Sequence, residues 1–463
     1  MKKVAVVFLA LALLMTFTAV STMAHAPQAN PYKFIVSPSG GDDTASIQGA
    51  FDSAVAAGPR STVKLMAGHF YCGNIFVENF RGTFEGAGRD LTVIDTLRGL
   101  DPNLPGLIRS VEDDGFVFLF GFKDGDIRIR DMTFDITASE PAEHWAPPFP
   151  WELPLDQTGT DVIRIMGNAD SRVERVRFVG HEGDYEAGGT SYNVLNGLTI
   201  LGIKGYFEDR MTGEPVSGSQ TVTDCSFEHI DNGFRIGYLL NSKAIVTRSV
   251  FLENGELSVF LFDIVNSRVE ISYNQMKDNQ AWYGVLCWQG CVANNVKAWT
   301  GGLGWDSYPG PVPANAFFFI HHNTINVAGA GEAIELWDLA CPSWVTDPPG
   351  GKSLDAIICD NDISLDTEGG GICCWPVRDV KVINNRITGT GFAGIYVGGM
   401  YSGSSTGCVI SGNTFKGFAS VLADIWLSEA TSHCRVVASK GTTVLDEGAD
   451  NTILTKPRCY EES

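Results

Sequence analysis

Apolar and polar residues alternate in short bursts along most of this chain. Ile163-Arg164-Ile165-Met166 is followed by Leu198-Thr199-Ile200-Leu201, Phe234-Arg235-Ile236-Gly237, Val259-Phe260-Leu261-Phe262 and Val285-Leu286-Cys287-Trp288. The series continues with Ile334-Glu335-Leu336-Trp337, Ile372-Cys373-Cys374-Trp375, Ile395-Tyr396-Val397-Gly398 and Ile425-Trp426-Leu427-Ser428. Positions one and three are always apolar while position two varies freely, which is the period of a strand with one buried face. The bursts recur roughly every 23 to 38 residues, except where a longer insertion intervenes. Between them runs a second signature, apolar-x-apolar, then Asn, then an apolar residue two places on, around Asn274, Asn323, Asn361, Asn385 and Asn413. Asparagine tolerates the left-handed conformation of a tight corner and can hydrogen-bond along a stack, so these residues are expected to be structural.

Two or three short strands per turn cannot bury a face alone, whereas stacked turns bury a continuous core. The pattern therefore predicts an all-β chain folded as a single-stranded right-handed parallel β-helix of about 9–11 coils. Asp43 followed by Ile47, Ala50, Phe51, Ala54 and Val55, with Gly58-Pro59 as a stop, predicts an amphipathic helix over 44–57 that caps the open core. Residues from about 430 to 463 lose the pattern and are expected to cap the other end. At the N-terminus, Lys2 and Lys3 precede an apolar run to about Val20 and the small-x-small Ala24-His25-Ala26, which predicts a signal peptide over 1–26. The expected product is one β-helix domain over 27–463, secreted or periplasmic.

A formal charge of −21 repels polyphosphate and anionic lipid, so neither nucleic acid nor a membrane is an expected partner. Eleven cysteines in an exported chain suggest some pairing, for example Cys287 with Cys291 or Cys408 with Cys434, while others fall in apolar strand positions as small core residues. Their scattered spacing does not make a zinc site.

The segments Asp42-Asp43-Thr44-Ala45-Ser46-Ile47-Gln48-Gly49-Ala50-Phe51-Asp52, Thr62-Val63-Lys64-Leu65-Met66-Ala67-Gly68 and Gly86-Ala87-Gly88-Arg89-Asp90-Leu91-Thr92-Val93-Ile94 resemble the opening of the pectin lyase-like superfamily. The later Asn-centred repeats resemble its carbohydrate-binding and sugar-hydrolase coils. That resemblance implies the fold and a carbohydrate ligand, but the fold hosts lyases, hydrolases, epimerases and non-catalytic proteins. Thr160-Asp161-Val162-Ile163 is similar to the polygalacturonase Asn-Thr-Asp-Gly segment, with Gly159 where the Asn stands. The Asp pair expected on the next coil is Leu195-Asn196 here, and the Gly-His-Gly is Asp231-Asn232-Gly233. Polygalacturonase and pectate lyase motifs are therefore incomplete or absent.

Stacking in register converts these bursts into columns about 4.8 Å apart. The outward second column, from Arg164 and Arg235 through Glu335 to Tyr396 and Trp426, passes from charged to aromatic as an exposed glycan groove would. The fourth column collects Phe262, Trp288, Trp337 and Trp375, rings suited to sugar faces. One position on stand Asp263 and Asp338, at a spacing compatible with the 6.5–9.5 Å of an inverting glycosidase. The expected catalytic carboxylates are Asp161, Asp263, Glu335 and Asp338. Arg164, Arg235, Trp288, Trp337, Trp375 and Tyr396 are the expected substrate contacts. Loops over 138–160, 181–196, 300–315 and 339–355 are expected to rim the cleft. His321-His322 read as structural or exposed residues.

The leading expectation is a secreted polysaccharide hydrolase or lyase, acting as a monomer on an extended glycan. A non-catalytic glycan-binding or cell-surface protein of the same fold is the alternative. No cofactor is required and no metal ligand set is read, though Ca2+ stays open beside His181, Glu182 and Asp184. A metal-handling role finds little support in nine Met and eight unclustered His.

Overall fold

The computed structural model describes residues 32–104, 117–138, 160–180, 195–202, 216–255, 257–279, 283–288, 316–328, 331–337, 354–399 and 404–455. The predicted signal segment, the four predicted loops for most of their length, Cys291 and Asp338 lie outside the described residues, as do the side chains of Asp263, Trp288 and Trp337.

Short strands stack in parallel into one sheet of 33 strands that coils on itself as a parallel β-helix. Every strand pairs with its counterpart one coil away, as the expected architecture requires. On the wall that carries the predicted bursts, twelve strands follow one another among the described residues, three beyond the nine read from the sequence. The additions are Ile75–Glu78 and Val117–Lys123 before them and Val444–Asp446 after them. Ile163, Leu198, Phe234, Val259, Val285, Ile334, Ile372, Ile395 and Ile425 line up in register and are all buried in the main core. Leu286 pairs directly with Glu335, so no extra coil separates them.

A column of rings fills the tube on another wall. Phe134, Phe178, Phe227 and Phe251 stack with centroids 5.6, 4.8 and 4.9 Å apart. Ring spacing matches the rung spacing, so burial and stacking add along the axis.

The helix Thr44–Ala57 closes the first coil as expected, burying Ile47, Phe51 and Ala54. Phe51 meets Phe80, Phe84 and Phe122 at 5.3, 5.0 and 5.6 Å. Gly58 ends the helix at φ 96°, a conformation costly for other residues.

At the opposite end the expectation needs correction. The repeat runs past 430 to Thr455, with Arg435–Ala438 pairing both Val409–Ser411 and Thr452–Thr455. The last described strand is exposed throughout.

The corner asparagines form the expected ladder. Asn274, Asn323, Asn361, Asn385 and Asn413 are buried and bond side chain to side chain at 2.9–3.0 Å. Their remaining amide protons go to backbone carbonyls, such as Asn323 to Ile271 and Asn361 to Ile320. The left-handed residue, however, is the one before each Asn: Tyr273, His322, Asp360, Asn384 and Gly412. The asparagine is selected for its amide, and its neighbour takes the strained backbone.

Candidate active site

The wall of the bursts has an unusual local geometry. Two inward residues separate two outward ones, as Val162 and Ile163 separate Asp161 from Arg164. Two outward columns result. One holds Asp161, Asn196, Asn232, Leu257 and Glu332, with the backbone of Tyr283 in register between the last two. The other holds Arg164, Thr199, Arg235, Phe260, Leu286, Glu335, Cys373, Tyr396 and Trp426. This second column is the predicted one, rung for rung. The backbone register likewise aligns Phe262, Trp288, Trp337 and Trp375.

Exposure is where the prediction fails. Every member of the second column up to Tyr396 is buried, from Arg164 at 0% to Leu286 at 8% relative exposure. Period-two alternation shows which side chains leave the tube, but it cannot show whether they meet water. Met166, Leu201, Tyr238, Leu257, Phe260, Phe262 and Leu286 form a second apolar cluster outside the tube. Phe262 reaches across the rung before it, where a Cβ on Gly237 would run into its ring. Among the described residues the second column is therefore covered from Arg164 to Tyr396 rather than open to water.

The first half of the wall is a buried polar network. Asp161 pairs with Arg164 and accepts hydrogen bonds from Asn196 Nδ2 at 2.9 Å and Thr199 Oγ1 at 2.8 Å. Asn196 Oδ1 accepts in turn from Asn232 Nδ2 at 2.9 Å. Arg235 lies with its guanidinium carbon 5.6 Å from the rings of both Phe260 and Phe262. Arg164 and Arg235, expected to orient substrate, are thus held within the wall by its own residues. A buried cation keeps its charge only when paired, which Asp161 provides for Arg164.

The later half differs. Glu332 and Glu335 occupy the same two columns as Asp161 and Arg164, five rungs along. Burial pushes the Glu332 carboxyl up to about 7. Cys373, on the next rung, is buried, and both glutamates help to raise its thiol further after burial has done most of it. Gly370 makes room for this group, since a Cβ there would come 2.6 Å from Cys373 Sγ and 3.7 Å from Glu332 Cγ. Beyond the acids, Tyr396 sits between Trp375 and Trp426 at 4.4 and 4.5 Å. Phe392 continues the chain of rings 5.4 Å from Trp426.

Asp161 lies five rungs, or about 24 Å, from the Glu332–Glu335 rung, so the two cannot act on one bond. Asp263 follows Phe262 on the same wall, with its side chain outside the described residues, as is Asp338 altogether. Sequence reasoning missed Glu332. Its signal was available, because it precedes Glu335 by the same three residues that separate Asp161 from Arg164. Among the described residues, no three His, Cys, Asp or Glu are grouped to hold a metal, and no helix is long and apolar enough to cross a membrane.

No family model and no curated protein matches this chain. Solved structures do match. The DFA-IIIase from Arthrobacter chlorophenolicus A6 in complex with DFA-III aligns with a TM-score of 0.58 and 11% identity, over 94% of this chain and 100% of that one. The same enzyme with GF2 gives 0.56 and 12%, over 94% and 98%. The A-module of the Azotobacter vinelandii mannuronan C-5 epimerase AlgE6 gives 0.49 and 14%, over 90% and 97%. The likeness shows the fold, a right-handed parallel β-helix.

Proposed function

We propose that this chain is an exported carbohydrate-active enzyme, a glycoside hydrolase or polysaccharide lyase, with its acid–base pair at Glu332 and Glu335. The observation that carries the reading is a carboxyl raised to about 7 on the same rung as a second buried carboxyl. A general acid works best with a pKa near the working pH. Glu332 keeps its proton near neutrality and gives it to the leaving oxygen. Glu335 activates water, or in a lyase takes the proton next to a carboxyl. The aromatic chain from Trp375 to Trp426 receives sugar faces beside the reacting bond. The carbohydrate-modifying enzymes that share this fold support a sugar substrate. Because the second column is covered from Arg164 to Tyr396, the substrate is a chain end or short oligosaccharide rather than the middle of an extended polymer. Asp161 with Arg164 and Arg235 positions the wall. Asp263, Trp288 and Trp337 are candidates for the same cleft on their backbone register, and Asp338 on its place in the sequence repeat.

The test is a screen over neutral and weakly acidic poly- and oligosaccharides, read by reducing ends for hydrolysis and by unsaturated products for a lyase. Glu332→Gln and Glu335→Gln should abolish product in folded protein, with Asp263→Asn and Asp338→Asn run beside them. Tight binding without product, lost in Trp375→Ala or Trp337→Ala, would instead establish the non-catalytic binder.

A further inference from the structure

A second chemistry lies at the far end of the tube, away from the acidic rung. The inward position before the strand Lys381–Ile383 is Val380, and the register carries it to Cys408 before Val409–Ser411 and Cys434 before Arg435–Ala438. Tracing it backwards gives Ala356, Phe318, Val269 and Ala244, all buried in the core or lining it. The column is thus apolar until the last two full rungs, and there it becomes cysteine twice.

We propose that Cys408 and Cys434 close a disulfide across these rungs when the exported chain meets an oxidising environment. Arg435 N donates to Cys408 O at 2.8 Å, and the next residues, Val409 and Arg435, are register partners. That register sets the two Cα atoms about 4.8 Å apart, inside the 4.4–6.8 Å range a disulfide spans. Both side chains are buried at 1% exposure, in one column of the core, and each thiol donates to the carbonyl two residues before it, Cys408 to Thr406 and Cys434 to Ser432.

The position explains the use. A solenoid frays from its ends, and here the last described strand, Thr452–Thr455, is exposed throughout with Ile453 and Leu454 uncovered. Linking the two rungs beneath it keeps the end from opening. One cysteine thiolate attacks a sulfur of an exogenous disulfide, which leaves as one thiol. The other cysteine then displaces the second thiol from the mixed disulfide. Two protons and two electrons pass to the oxidant, which ends as two thiols. Both sulfurs are buried in the folded tube, so the exchange occurs before the last coils close or when they open.

The experiment takes the full secreted chain, reduced and then refolded with oxidised glutathione, and maps cross-linked peptides after denaturation and alkylation. The expected result is a Cys408–Cys434 link and a melting temperature several degrees above that of the reduced protein. That difference should vanish in Cys408→Ser and in Cys434→Ser. The wild-type peptide map stands even if the variants fold poorly. Two alkylatable thiols at these positions, or a link from either to Cys374, would overturn the proposal. It stands or falls apart from the assignment of Glu332 and Glu335.

Discussion

Buried amides stack twice in this molecule, and the two stacks end differently. In the corner ladder each asparagine from Asn274 to Asn385 gives one amide proton to the next Asn and another to a backbone carbonyl one coil away. The arrangement repeats with the coil. On the outer wall, Asp161, Asn196 and Asn232 begin in the same way, then give way to Leu257, and finally to Glu332. A ladder that repeats serves the tube. A column whose chemistry changes from rung to rung is free to serve something else, and the rung where it changes to paired carboxyls is where we place the reaction.

The largest expected effect falls on that rung. Once a substrate is in hand, Glu335→Gln and Glu332→Gln should each lower kcat/KM by about 10²–10⁴, the usual share of a general acid or base, in protein that remains folded. Comparable losses from Asn361→Ala in protein that remains folded would erase the distinction between the two stacks.

Next in size is Asp161→Ala. It leaves Arg164 buried without its carboxylate and should cost about 3–5 kcal/mol in denaturant unfolding. Asn361→Ala breaks bonds to Asn323, Asn385 and Ile320 and should cost about 2–4 kcal/mol, with little change in turnover of the folded fraction. If Asp161→Ala left stability untouched, the polar half of the wall would have to be reassigned from scaffold to site.

A smaller effect is visible in pH dependence. The Glu332 carboxyl titrates about 7 in the folded chain against 4.5 when unfolded. Below 4.5 both states hold the proton and nothing is lost. Between the two values only the unfolded state releases it, so stability should fall as pH rises to about 7, by up to ~3 kcal/mol, and then level off. Glu332→Gln should flatten this slope in unfolding curves, whereas Asn361→Ala should shift the whole curve and keep the slope.

Much of this was legible beforehand, for a physical reason. In a solenoid each coil must place its apolar residues against those of its neighbours, so the period of the bursts carries the register, and Ile163 to Ile425 align as written. Hydrogen-bonding capacity was legible too, because an interior Asn must find partners. Three things were not. The left-handed residue is Tyr273, His322 or Asp360 rather than the Asn, since the corner is set by the backbone and accepts several side chains. Arg164 and Arg235 are outward but enclosed, because burial outside the tube depends on packing between Phe260, Phe262 and their neighbours, which has no period. Glu332 lies before the strand signature, in a column that only the Asp161–Arg164 pair makes recognisable.

The most direct test needs no substrate. A carbon NMR titration that follows the Glu332 carboxyl, assigned by its loss in Glu332→Gln, should show a midpoint about 7. A midpoint near the ordinary 4.5 would mean that the rung holds an ionised surface glutamate, and the contrast between a structural and a chemical half of this wall would not stand.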